Sequence, residues 1–93
     1  DTQLFNLLRA LRKDLAEKQN LPPYIIFSDA SLRDMATFYP QTKQQFAQIK
    51  GVGDQKLVQY GDSFIAEIIA YCNPKGIKNI NTQKKGSRYL GIL

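Results

Sequence analysis

The chain has no histidine, which removes the usual general base near neutral pH and the commonest protein ligand of transition metals. A single cysteine, Cys72, excludes an internal disulfide and a cysteine-rich metal site. No apolar run approaches the length of a bilayer span, and no apolar leader precedes the first charges, so neither a membrane anchor nor a secretory route is expected. A phosphate-binding P-loop, metal-ligand spacing and a Ser/His or Cys/His pair are all missing. Asp29 and Asp34 come nearest to paired carboxylates, but both have ready roles as turn and cap residues. Catalysis by this chain alone is therefore not expected, and neither a metal nor a cofactor is implied.

Acid is missing from one region in particular. Residues 1–72 carry eight Lys or Arg and eight Asp or Glu, whereas residues 73–93 carry Lys75, Lys78, Lys84, Lys85 and Arg88 with no acid. The net charge of +5 thus resides wholly in the tail, and any anion binding by the first 72 residues must come from a local patch. At 93 residues, 43% hydrophobic and 23% charged, the chain is long enough for one domain with one modest core. It starts inside what reads as the first helix, as a piece of a larger protein would.

The periodicities point to an all-α bundle of about five short helices. From Thr2 to about Gln19, Leu4, Leu7, Leu8, Leu11 and Leu15 fall within an arc roughly 100° wide. Arg9, Arg12, Lys13 and Ala16 lie opposite, with Phe5 among them, while Asp14 and Glu17 sit to one flank. That strip is either a solvated face or a local anion-binding surface. Pro22 and Pro23 end the helix. The segment Tyr24-Ile25-Ile26-Phe27 is expected to lie across the bundle as an extended or single-turn stretch, with Ile25, Ile26 and Phe27 in the core. Ser31 reads as an N-cap, with Asp34 at the capping-box position, for a helix reaching about Tyr39 that contributes Met35 and Phe38 to the core. Thr42 and Gln45 form a second capping box, for a short helix through Ile49 with Phe46 and Ile49 inward. A helix over Asp54–Tyr60 is expected to break at Gly61, and Asp62-Ser63 to recap a last helix through about Cys72. Its apolar stripe, Phe64, Ile65, Ile68, Ile69, Tyr71 and Cys72, is wide enough for a deeply embedded element. Domain and tail divide at 1–74 and 75–93, the tail being mobile or irregular, with Tyr89–Leu93 apolar enough to dock or to begin another element.

Between the short helix through Ile49 and the helix over Asp54–Tyr60 lies the turn Ile49-Lys50-Gly51-Val52-Gly53-Asp54-Gln55-Lys56. Two glycines flank one apolar residue, so the chain can turn sharply while Val52 points back into the core. The amides of Gly53, Asp54 and Gln55 would open a helix, where a phosphate can sit, and Lys50 and Lys56 bracket the turn with positive charge. The motif reads either as a helix-hairpin-helix-like DNA contact or as a compact turn between packed helices.

In this order and spacing the residues resemble the HRDC domain, the helicase and RNase D C-terminal module. The resemblance covers roughly residues 3–72. It rests on Leu4-Phe5, Leu11-Arg12-Lys13, the run Pro22-Pro23-Tyr24-Ile25-Ile26-Phe27-Ser28-Asp29 with Leu32, Ile49–Gly53, Lys56-Leu57 and Tyr60–Phe64. The Pro-Pro-Tyr run is most similar to the copy in bacterial RecQ-type DNA helicases. The resemblance implies a small helical accessory module that touches single-stranded or partly duplex DNA, without sequence specificity, and tunes how a parent ATP-dependent helicase engages it. It also implies a surface made by the first helix and the tyrosine after the prolines, which here means Arg9, Arg12, Lys13 and Tyr24. Tyr24 can stack on an unpaired base, or it can simply cover the core. A module docking on the helicase core or a partner, and the RNA-holding domain of an RNase D-like exoribonuclease, remain alternatives. The expected setting is a monomeric, cytoplasmic, nucleoid-associated protein whose other partners are the remaining domains of its parent.

Overall fold

The first helix begins where a carboxylate can cap it: Asp1 Oδ1 accepts the Leu4 amide at 3.0 Å, and α1 runs from Thr2 to Gln19. The structure, a computed structural model, describes residues 1–80. Asn20 ends α1 in the left-handed region, at φ 57°, which asparagine tolerates better than most residues, and the Leu21 amide returns to Ala16. Proline at the first position then starts α2, a single turn over Pro23–Ile26. α3 covers Asp29–Phe38, α4 Lys43–Phe46 and α5 Asp54–Cys72, followed by a 3-10 turn at Asn73–Lys75. The expected all-α fold of five helices is present, with no strand among the described residues. Their lengths are uneven, since α1 and α5 span 18 and 19 residues and α2 and α4 only four each.

The core is organised around Phe27. It is delivered inward by the Pro22-Pro23 turn and its ring meets three others edge to face: Phe64 at 5.0 Å, Phe46 at 5.9 Å and Tyr60 at 6.1 Å between centroids. Aromatic pairs in this arrangement add about 0.5–1.5 kcal/mol each beyond their area. Leu4, Leu8, Ile26, Leu32, Met35, Ile49 and Ile68 complete a fully buried cluster that draws on all the long helices. The Tyr60 hydroxyl satisfies itself on Gln19 Oε1 at 2.8 Å, tying α5 to the end of α1.

Five local expectations are corrected. The buried face of α1 is Leu4, Leu8, Arg12 and Ala16, and the leucine arc is turned aside so that Leu7 is 38% exposed. Ile25 is 45% exposed, because a single helical turn cannot point three consecutive side chains inward. The cap of α3 is Ser28, whose Oγ accepts the Ser31 amide, while Ser31 is buried and serves elsewhere. Thr42 caps α4 as expected, but that helix stops at Phe46, and Gln45 returns to the Gln41 amide at 2.7 Å. α5 runs unbroken through Gly61, which is buried where a Cβ would come within 3.0 Å of Leu57 Cδ1. Packing there outweighs the helix penalty of glycine, about 1 kcal/mol.

The Gly-Val-Gly turn is held from α3. Ser31 Oγ donates to the Lys50 carbonyl at 2.6 Å, and the Lys50 amide donates to Asp34 Oδ2 at 3.2 Å. Gly51 has φ 82° and lies so close to Ser31 Oγ that a Cβ would collide with it. Gly53 has φ −95° and open space around it, so it needs no glycine. Val52 is buried, as expected. Beyond the 3-10 turn the chain folds back: the Ile80 amide and Asn79 Nδ2 both donate to the Phe38 carbonyl, and Gln41 Nε2 donates to the Ile77 carbonyl. The rest of the proposed tail, residues 81–93 with Tyr89–Leu93, lies outside the described residues. No helix among those described is long and apolar enough to cross a membrane.

Three stability outcomes follow from this geometry. Gly51→Ala should cost at least about 1 kcal/mol while Gly53→Ala stays within about 0.5 kcal/mol. Val52→Asp, burying an unpaired charge, should cost about 3 kcal/mol or more. Thermal melts followed by circular dichroism check all three. Cys72 is fully buried and burial pushes its thiol above the ordinary value, so a thiol-specific reagent should label it only as the fold opens. Labelling rates should therefore rank the same variants in the same order.

Candidate nucleic-acid interface

Phe5, Arg9 and Lys13 recur every fourth residue of α1 and so share one face of the helix. Beside them runs an open groove of about 570 Å³ whose lining includes Arg9, Arg12, Lys13, Ala16, Leu21 and Pro23. Glu17 lines it as well, so its charge is positive but not uniformly so. Arg9 and Lys13 are exposed, and neither forms an ion pair among the described residues. Tyr24, the next residue after Pro23, is 60% exposed and extends the surface with an aromatic ring.

Arg12 behaves differently from its neighbours. Its side chain is only 10% exposed; Nη1 donates to the Phe27 carbonyl at 2.9 Å, and Nη2 lies 2.9 Å from Asp29 Oδ1. Two planar donors thus fix the α2–α3 junction onto α1, a fork geometry that lysine lacks. The expectation that Arg12 shares the outer strip with Arg9 and Lys13 is corrected: it faces inward. A charged residue reads as exposed from hydropathy alone, and its two partners here lie fifteen or more positions along the chain.

The lysines of the turn stand apart from this groove. Lys50 is exposed, but its backbone is the part engaged, through Ser31 and Asp34. Lys56 is half-buried with Nζ 5.7 Å from the Phe27 centroid, a cation–π contact on the core aromatic. At the start of α5, Gly53 provides no side-chain cap, and Asp54 already places a negative charge in the first turn. A phosphate approaching the Gly51-Val52-Gly53 turn would meet that carboxylate. Asp29 and Asp34 are likewise occupied, on Arg12 and on the Lys50 amide, and no cluster of three potential metal ligands occurs among the described residues.

One cation escaped the sequence reading. Arg33 projects from α3 with its Cζ 6.0 Å from the Phe5 centroid, while Arg9 Cζ lies 5.9 Å from the same centroid. No pattern within α3 marks Arg33, because its relation to Phe5 arises only when α3 packs on α1.

The HRDC domain family model matches residues 1–68. The chain is 48% identical over 68 residues to the ATP-dependent DNA helicase RecQ of Haemophilus influenzae, a match covering 73% of this chain and 11% of the relative. It is 44% identical over 69 residues to the RecQ helicase of Bacillus subtilis, covering 74% and 12%. The ATP-dependent DNA helicase UvrD2 of Mycobacterium tuberculosis is 34% identical over 65 residues, covering 70% and 9%. The chain thus spans about a tenth of the length of these relatives.

Because Arg12 is committed inward, Arg12→Ala should destabilise the fold by about 1–3 kcal/mol, the cost of leaving the buried Phe27 carbonyl unpaired. Asp29, at 57% exposure, stays hydrated and adds little. Arg12→Met should recover part of the loss by keeping the packed stem. Arg9→Ala should leave the melting temperature unchanged, and parallel melts of the three variants provide the comparison.

Proposed function

We propose that this chain, which belongs to the HRDC domain family, is an accessory nucleic-acid-binding domain of a RecQ-like ATP-dependent DNA helicase. Its substrate in this reading is single-stranded or partly duplex DNA, bound weakly and without sequence preference, and its other contacts are with the remaining domains of the parent enzyme. Such a role belongs in the cytoplasm, at the nucleoid. The observation that carries the reading is the α1 groove, where two exposed cations with no ion-pair partner among the described residues, Arg9 and Lys13, stand near the exposed ring of Tyr24, which follows Pro22 and Pro23.

Each group has a distinct task. Arg9 presents a planar fork to phosphate oxygens and Lys13 a point charge. Tyr24 offers a flat face to an unstacked base, an interaction worth about 1–3 kcal/mol and indifferent to sequence. Pro22 and Pro23 restrict the backbone before Tyr24, so little freedom remains to be lost on binding. Arg12 acts as a positioning residue by holding Phe27 and Asp29, and with them the segment that displays Tyr24. With so few phosphate contacts, the affinity is low and falls with salt.

Fluorescence anisotropy of a labelled oligothymidine at several salt concentrations tests the division of labour. Arg9→Ala and Lys13→Ala should each weaken binding several-fold and flatten the salt dependence, with the fold intact. Tyr24→Ala should lower affinity several-fold with the salt slope unchanged, and Tyr24→Phe should retain most of it. Wild-type affinity and slope in all four variants would sink the reading and favour a protein-docking role.

A further inference from the structure

The Phe5 ring gathers two guanidinium groups from different helices, and the groove reading leaves one of them, Arg33, without a task. Arg9 and Arg33 each lie within 6.0 Å of the ring centroid. They can be separated by no more than twice that distance, which is comparable to the Debye length of about 8–10 Å, so each feels the other's charge. Neither is paired with a carboxylate among the described residues, where the ion pairs are Arg12–Asp29 and Lys43–Asp62. Two like charges this near each other are relieved when an anion binds beside them.

The surroundings suit a phosphate. Thr2, Phe5, Arg33, Ala36 and Thr37 line a second, smaller groove of about 240 Å³ where α1 meets α3. Asp1 is the one carboxylate among its lining residues; it accepts from the Leu4 amide and the hydroxyls of Tyr39 and Tyr71 and keeps its charge, against which Arg9 and Arg33 set two positive charges at the Phe5 ring. Arg9 belongs to the first groove and also reaches Phe5, so it bridges the two. Phe5, Arg9 and Lys13, each a helical turn apart, then form a continuous line about 12 Å long from Phe5 to Lys13. Arg33 stands at one end of that line and Pro23-Tyr24 at the other.

We propose that Arg33, with Phe5 and Arg9, forms a second phosphate-binding station, so that a single-stranded nucleic acid stacked at Tyr24 runs along α1 and onto α3. This rests on the groove reading given above, and extends it to a strand path with Arg33 at its far end. The station takes the phosphodiester backbone, and the exposed part of the Phe5 ring borders it without selecting a base.

The test is a salt titration of oligothymidine binding to Arg33→Ala, Arg33→Lys and Arg33→Glu, with Arg9→Ala and Tyr24→Ala measured alongside. Each phosphate contact on a single strand contributes about −0.7 to the slope of log K against log salt. Arg33→Ala should weaken binding several-fold and reduce that slope by about 0.7. Arg33→Lys should keep the slope, and Arg33→Glu should weaken binding further. Arg33 is exposed, and unchanged melting curves should accompany all three variants. An unchanged slope in Arg33→Ala, with Arg9→Ala and Tyr24→Ala still impaired, overturns the second station and leaves the groove reading standing. Wild-type binding in all of them overturns both.

Discussion

One guanidinium group sets the geometry on which the rest of this small fold depends. Arg12 binds the carbonyl of Phe27 with one nitrogen and the carboxylate of Asp29 with another. It thereby fixes the point where the chain, having turned at the two prolines, must place Phe27. The Phe27 ring in turn contacts Phe46 of α4 and Tyr60 and Phe64 of α5. The chain of cause runs from a charged side chain, through a backbone carbonyl, to the aromatic centre that unites three helices. A bundle of this size has little area to spare, so such an anchor has a large influence on which packing is chosen.

The same anchor decides what the outside of α1 looks like. With Arg12 and Ala16 turned inward, the next face of the helix is Phe5, Arg9 and Lys13, whose two cations form no ion pair among the described residues although Glu17 lies near. Stability and surface chemistry are thus two sides of one helix rotation. The Gly-Val-Gly turn is a different case. Its backbone is clamped by Ser31 and Asp34, Val52 is buried, and Lys56 lies over the core ring. Most of its chemistry is spent on holding α4, α5 and α3 together.

Features governed by local chemistry were legible before the structure. The proline stops, the Thr42 cap, the inward Val52 and the aromatic run at Phe27 follow from rules that span four or five residues. What escaped depends on partners far along the chain. Ser28 and Ser31 are equally good caps by composition, and only the Lys50 carbonyl, nineteen residues on, claims the second of them. Gly61 looks like a helix break until the close approach of Leu57 to a buried glycine is known. Arg12 reads as surface because hydropathy takes no account of a carbonyl and a carboxylate waiting to receive it. Arg33 becomes a neighbour of Phe5 only through the packing of α3 on α1.

The carboxylate of Asp1 takes hydrogen bonds from Tyr39, at the end of α3, and from Tyr71, near the end of α5. Residue 80 is bonded to Phe38, beside Tyr39. Both ends of the described chain are therefore drawn to one pole, while Pro23 flanks Lys13 and Ala16, roughly 20 Å along α1 from that pole. Taken as an arm turning about that pole, the unit carries the tyrosine near its far tip. A rotation of about 20° at the pivot sweeps that tip through roughly 7 Å. A modest turn about that pole therefore displaces the ring by several ångströms without any helix unfolding.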